Sequence, residues 1–243
     1  MDTIKINRKA TKIIAHRGVS GLELENTCAA FVAGGNRSYY GIETDVHVTA
    51  DGKFIIIHDD VTGRVAKENI GVEESNFDTL RALVLKRADG TTRWDLRLPS
   101  LEEYLDVCKS YGKVAVLELK RPFEKEHVEQ VVAVCKEKYG LENMVFISFS
   151  FQNMRFVKEI APEATAQYLI GGETDLLQRP DLVENMLEIG VDVDIYHMLL
   201  TKEHVDYLHS KGLKVNCWTV DDPARAEELI SWGVDFITTN ILE

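Results

Sequence analysis

Four short stretches of this 243-residue chain carry residue types able to do chemistry together: His16-Arg17-Gly18, Glu43-Thr-Asp45-Val-His47, His58-Asp59-Asp60 and Glu118-Leu-Lys120. On an extended strand, side chains alternate faces, so Glu43, Asp45 and His47 share one side and Glu118 shares one with Lys120. Glu43 and Asp45 then stand roughly 6.6 Å apart along the strand, close enough to lean onto one ion between them. Ionisable groups gathered in a protein interior are costly unless compensated. Three carboxylates, Glu43, Asp45 and Glu118, offer an oxygen-rich set that suits a hard divalent cation, Mg²⁺ or Ca²⁺, better than Zn²⁺. His16 and His58 titrate near neutrality and are candidates for general acid and base. Arg17 supplies a planar fork of donors and Lys120 a point charge. A cation, an Arg and a Lys around one small volume suit a phosphate whose charge grows in a transition state, so phosphoester hydrolysis is expected rather than hydride transfer.

These residues must be held by a frame, and the frame is legible as rhythm. Short apolar, β-branched runs occur at 12–15, 41–46, 113–119, 144–149, 164–169, 191–196, 213–218 and 235–238. Helical patterns are expected at 25–34, 100–111, 124–139, 151–160, 180–189, 201–211 and 222–232. Ser100-Leu-Glu-Glu103 reads as a capping box, and Gly190, Gly212 and Gly233 as stops. Alternating strands and helices argue for a parallel sheet with helices outside. Eight runs in this length predict an α/β fold of the (β/α)8 TIM-barrel type. No GxGxxG follows the first strand, which disfavours a dinucleotide-binding open sheet. The candidate residues fall where such a barrel places its site, at the C-terminal ends of strands. Further polar or aromatic strand ends are Ser148-Phe149, Trp218-Thr219 and Thr239-Asn240.

Two features depart from an ideal barrel. An extra run, 54–57, precedes a long irregular stretch, 59–99, expected to be a small insertion after the second strand. The chain also ends soon after the eighth run, without a pattern for a last helix. One domain, 1–243, is expected, with 59–99 as its inserted region. Phe77, Leu80, Leu83, Val84, Leu85 and Trp94 in that region fit a small packed helix better than an apolar rim.

Composition narrows the function classes. Hydrophobic residues make up 45% and charged residues 28%, as in a chain that folds. Forty Asp and Glu against 28 Lys and Arg give a net charge of −12, a field that repels phosphate backbones, so nucleic acid is not an expected partner. Cys28, Cys108, Cys135 and Cys217 are widely spaced and read as unpaired thiols of a reducing compartment. No run approaches membrane-spanning length, and no leader is evident in the first residues, so a cytoplasmic location is expected.

Together these motifs resemble the glycerophosphodiester phosphodiesterases. The resemblance rests on His16-Arg17-Gly18, Glu25-Asn26-Thr27, Glu43-Thr-Asp45-Val, Thr49-Ala-Asp51-Gly52, His58-Asp59, 98–103, Glu118-Leu-Lys120 and Trp218-Thr219, in family order over nearly the whole chain. It implies a TIM-type barrel with a small insertion. It also implies Glu43, Asp45 and Glu118 as ligands of one Mg²⁺ or Ca²⁺, and His16 and His58 as the acid–base pair. Arg17 and Lys120 would contact phosphate, with Trp218 and Phe149 lining the glycerol or leaving-group side. The substrates so implied are small glycerophosphodiesters such as glycerophosphocholine and glycerophosphoethanolamine, cleaved to sn-glycerol 3-phosphate and an alcohol. The nucleophile is either water or the substrate's own 2-hydroxyl, and either histidine can take either role. The chain departs from the family pattern at Leu24, where a Pro is usual, and at His47, which is no family signature. Competing expectations are a related barrel acting on lysophospholipids or phosphoinositides, and a barrel that binds phosphate without turnover.

Overall fold

In a computed structural model, which describes residues 2–243, the chain forms a closed barrel of eight parallel strands. The strands are β1 (Lys12–Ala15), β2 (Gly41–Val48), β4 (Val114–Leu119), β5 (Met144–Ser148), β6 (Thr165–Ile170), β7 (Asp192–Tyr196), β8 (Val215–Trp218) and β9 (Phe236–Thr239). Each pairs in parallel with the next, and β1 pairs with both β2 and β9, which closes the ring. A short β3 (Phe54–Ile56) adds antiparallel to the end of β2, with His47 opposite Ile55.

Among the described residues, seven helices surround the strands: α1 (Cys28–Gly35), α3 (Leu101–Tyr111), α4 (Lys125–Lys138), α5 (Phe151–Ile160), α6 (Pro180–Ile189), α7 (Lys202–Ser210) and α8 (Pro223–Trp232). The expected capping box is present: Ser100 Oγ accepts from the Glu103 amide, and the Glu103 carboxylate accepts from the Ser100 amide. Such a cap is worth about 1 kcal/mol. Gly190 and Gly233 end α6 and α8 in the left-handed conformation.

Alternation sorts the strand residues. Ile42, Leu117, Phe146, Val193, Ile195, Val215 and Ile237 face outward and pack under the helices. Ile14, Val116, Val145, Ile147, Leu169 and Phe236 face inward and fill the barrel below the site. The floor is therefore largely apolar, with Gln167 and Asn216 as a buried polar pair hydrogen-bonded to each other at 3.0 Å. Among the described residues no last helix follows β9. Instead the tail runs back beside the N-terminal segment, with Ile4 bridging Leu242 and the Ile6 amide donating to the Glu243 carbonyl.

Two expectations are corrected. The first helix begins at Cys28, not at 25, because Glu25 and Asn26 are used elsewhere. Asn26 is held at φ 53 and Thr27 becomes the N-cap, accepting from the Ala30 amide. In the stretch 59–99, helix forms only over α2 (Phe77–Arg81). Leu80 and Leu85 are buried with Ile55, Ile57, Val65, Ala66, Val72 and Leu98, and Phe77 and Leu83 pack against them. These apolar residues thus build a second small core, and of the six singled out only Trp94 is fully exposed, at 74%.

Candidate active site

The site is assembled where β1, β2 and β4 end. β1 runs into a tight loop in which Arg17 has φ 53 and Gly18 φ 76. A Cβ at Gly18 would come within 2.5 Å of the Ala30 backbone, so only glycine lets this loop lie against α1. The loop turns the Arg17 amide onto Glu43, donating to Oε2 at 2.8 Å.

On β2 and β4, Glu43, Asp45 and Glu118 point into the barrel mouth as alternation predicts. One carboxylate oxygen from each lies within 4.8 Å of the others, and all three side chains are buried. Lys120 Nζ is 2.9 Å from Glu118 Oε1 and 3.3 Å from Asp45 Oδ1. These are ion pairs outside hydrogen-bonding geometry, so both oxygens lack a donor. Two orphaned buried carboxylate oxygens in a hard-oxygen cluster fit a divalent cation. The protonation pattern agrees. Burial, with Asp45 and Glu118 beside it, pushes Glu43 well above the carboxylate range. Burial and Asp45 push Glu118 up to about 7 against the pull of Lys120. Asp45 is held low: burial opposes its charge, but Lys120 and Arg17 outweigh it. Asn26 adds a hydrogen bond from Nδ2 to Asp45 Oδ2 at 2.7 Å, while its Oδ1 accepts from Thr44 Oγ1.

The two histidines face the same cavity. Asn240 at the end of β9 donates from Nδ2 to Asp221 Oδ2 at 2.6 Å, which turns its carbonyl oxygen toward His16. His16 therefore donates from Nδ1, at 2.7 Å, and presents an unprotonated Nε2, 3.9 Å from Glu43 Oε2. Burial, and then the Arg17 charge, bring His16 down to about 4, so it is neutral at pH 7. His58 donates from Nδ1 to Asp59 Oδ1 at 2.6 Å, leaving its Nε2 for the cavity. Burial lowers its pKa, opposed by Asp45 and Asp59.

Behind the histidines runs a chain of charges. Arg17 Nη1 donates to Glu25 Oε1 at 2.9 Å. Arg64 donates to both Glu25 oxygens at 2.6 and 2.9 Å, and through Nε to Asp59 Oδ2 at 2.6 Å. Arg17 Nε stays buried without an acceptor, a donor left for an anion.

His16, Arg17, Glu43, His58, Glu118, Lys120, Phe149 and Trp218 line one cavity of about 80 Å³, with Asp45 directly behind. Beyond Phe149 and Trp218, whose rings meet edge to face at 5.6 Å, an open groove of about 530 Å³ leads outward. His47 does not join the cluster. Its ring nitrogens face Glu73 Oε1 at 3.2 Å and the His58 carbonyl at 3.4 Å, so it ties β2 to the following segment. Sequence reasoning did not single out Arg64, Asp221 or Asp194. Asp194 is a buried carboxyl on β7 that also lines the cavity, and strand alternation within 191–196 was the available signal for it. Burial pushes its pKa well up.

Known proteins resemble this chain in sequence and fold. The sequence pattern of the Glycerophosphoryl diester phosphodiesterase family matches residues 16–243. The chain is 28% identical over 237 residues to a glycerophosphodiester phosphodiesterase of Caldanaerobacter subterraneus subsp. tengcongensis, covering 95% of this chain and 94% of that one. It is 27% identical over 239 residues to one from Bacillus altitudinis, with coverage of 95% and 94%. Among solved structures, an Oleispira antarctica phosphodiesterase in complex with the product sn-glycerol-3-phosphate superposes with a TM-score of 0.83 at 25% identity, covering 94% of this chain and 92% of that one. No helix among the described residues is long and apolar enough to cross a membrane. The motifs, the closed barrel and the match from His16 to the last residue converge: the chain belongs to the Glycerophosphoryl diester phosphodiesterase family.

Proposed function

We propose that this protein hydrolyses small glycerophosphodiesters, such as glycerophosphocholine and glycerophosphoethanolamine, to sn-glycerol 3-phosphate and an alcohol. One observation carries the reading: three mutually close buried carboxylates stand beside two imidazoles, each with Nε2 available, in a single cavity. Chain 1–243 acts as one catalytic domain, with 59–99 as the inserted cover. Glu43, Asp45 and Glu118 would hold one Mg²⁺ or Ca²⁺, which when bound supplies Lewis-acid polarisation of a phosphoryl oxygen.

The remaining steps belong to the chain's own groups. Arg17 offers its unpartnered Nε, and Lys120 its ammonium, to the non-bridging oxygens, where charge rises in the transition state. His16 is neutral with its tautomer set by Asn240, so its Nε2 accepts the proton of the nucleophile. His58 acts from its imidazolium form, which the Asp59 carboxylate favours: Nε2 gives its proton to the departing alkoxide and the ring is left neutral with Nδ1 still bonded to Asp59. Phe149 and Trp218 stand where the cavity opens into the groove and would guide the alcohol out. Burial of Leu80 and Leu85 in the second core supports water-soluble diesters over lysophospholipids, because those two residues offer no surface to an acyl chain.

The test is release of glycerol 3-phosphate across a headgroup panel with Mg²⁺, Ca²⁺ or chelator. Release that stops with chelator supports the reading. Phosphate binding without release from any diester replaces it with a non-catalytic barrel. Running the reaction in ¹⁸O water while trapping cyclic phosphate separates water from the 2-hydroxyl as nucleophile.

A further inference from the structure

Asp194 has no part in the scheme above, yet its position demands a partner. Along β7, Asp192, Asp194 and Tyr196 face the barrel interior, while Val193 and Ile195 pack outward under the helices. Tyr196 is exposed at the strand end and Asp194, one layer lower, is only 1% exposed. It lines the catalytic cavity with Ile147, Leu169 and Thr238, on the β7 side of the same space that Glu43 and Glu118 line. Its Oδ1 is buried with no hydrogen-bond partner.

None of the neighbouring donors reaches this oxygen. Asn216, paired with Asp194 on β8, donates its amide to Gln167 Oε1 at 3.0 Å and accepts from Thr238 at 3.4 Å. Trp218 Nε1 reaches the Asp194 carbonyl at 3.4 Å, not its carboxyl. Arg17 and Lys120 are engaged with Glu25, Asp45 and Glu118. A buried polar group without a partner is destabilising, so a protein that retains one in a ligand cavity uses it on the ligand.

We infer that Asp194 forms a hydroxyl-binding subsite at the cavity floor, taking a hydroxyl of the glycerol half of the substrate. This rests on the proposed reaction for the orientation of the substrate. A hydroxyl is both donor and acceptor, so it serves a carboxyl in either charge state. Ile147, Leu169 and Trp218 line the cavity with Asp194 beside the polar Thr238, a mixed wall that suits the carbons and hydroxyls of a polyol. The cavity is small enough for a three-carbon polyol, and the wide groove beyond Trp218 is left for the alcohol side. A site built around such a hydroxyl rejects the analogue that lacks it, because the buried carboxyl is then left unpaired.

The experiment measures binding of sn-glycerol 3-phosphate and its two monodeoxy analogues, 1,3-propanediol monophosphate and 1,2-propanediol 1-phosphate, to the Mg²⁺-supplemented protein. In the wild type at least one analogue is expected to bind at least about tenfold more weakly. In Asp194→Leu that ratio falls to about one, while Asp194→Asn, still a donor and an acceptor, keeps most of it. Should Asp194→Leu unfold, Asp194→Ser, too short to reach the hydroxyl, carries the same comparison. A wild type that ignores both deletions, or a Leu or Ser variant that keeps the wild-type ratio, overturns the inference. Glycerol 3-phosphate release from diesters is scored separately. Preference without release leaves the subsite and removes the proposed reaction; release without preference does the reverse.

Discussion

Arg64 grips Glu25 with two hydrogen bonds, of 2.6 and 2.9 Å, across 39 residues of sequence. The contact joins the segment after β3 to the loop after β1. Glu25 in turn holds Arg17, and the Nε of Arg64 holds Asp59, which orients His58. One guanidinium thus sets the attitude of both Arg17, proposed to contact the phosphate, and His58, proposed to carry a proton.

Arg64→Ala should therefore cost activity more than stability. The residue is half exposed, so its ion pairs contribute little to folding. Its loss frees Asp59 and Glu25 together, and a drop in kcat/KM of about 10–100-fold is expected from misorientation. Arg64→Lys should recover only part of this, because a point charge cannot bridge two carboxylates as a planar fork does. Steady-state kinetics beside a thermal melt decide it; a Tm loss in proportion to the rate loss would mean a merely structural role.

Metal binding and proton transfer should separate by mutation. Glu43→Gln is expected to lose Mg²⁺ or Ca²⁺ affinity and turnover together. His16→Ala should bind the ion normally and lose about 10²–10⁴-fold in kcat. Calorimetric titration of the ion, paired with the release assay, reads both. Near-normal rates in both His16→Ala and His58→Ala would refute the acid–base assignment.

Asp59→Asn tests which histidine carries the leaving-group proton. The Asp59 carboxylate favours the charged form of His58, so an amide there lowers its pKa further. An acid that loses its proton too early works only at lower pH. The rate at neutral pH should fall and the optimum move toward acid. A fall with no movement of the profile would point to orientation alone.

The order of strands and helices was legible because each element is specified locally, by alternation, caps and glycine stops. Glu43, Asp45 and Glu118 were legible for the same reason: period two puts them on one face, and burial of both faces of a parallel strand puts that face inside. What was hidden depends on distant pairings. Nothing near Arg64 announces Glu25, and Asp221 meets Asn240 only because β8 and β9 end side by side. The start of α1 was misplaced because Asn26, a reasonable first-turn residue by type, is diverted to Asp45 on the next strand. The stretch 59–99 was the least legible, since its apolar residues follow a second core rather than a helical period.

Glu118 offers a test of the ion cluster that needs no substrate. In the metal-free protein its pKa is raised from 4.5 to about 7. A carboxyl raised in the folded state stabilises folding fully below the unfolded value, and this contribution is lost as pH climbs through the folded one. His16, lowered from 6.5 to about 4, changes stability in the opposite sense over much of the same window, so absolute curves would blur the effect. The difference between wild type and Glu118→Gln cancels the His16 contribution. With chelator present, Gln, which never ionises, should gain on Glu between pH 5.5 and 8 by about 1–3 kcal/mol, since each tenfold change in an ionisation constant on folding is worth about 1.4 kcal/mol. With Mg²⁺ or Ca²⁺ added at pH 8 the order should reverse, because the ion binds the ionised carboxylates and stabilises only the wild type. Chemical denaturation at both pH values, with and without the ion, measures it. If the two proteins differ by a constant amount at every pH, and the ion moves neither, Glu118 is not part of a cation site.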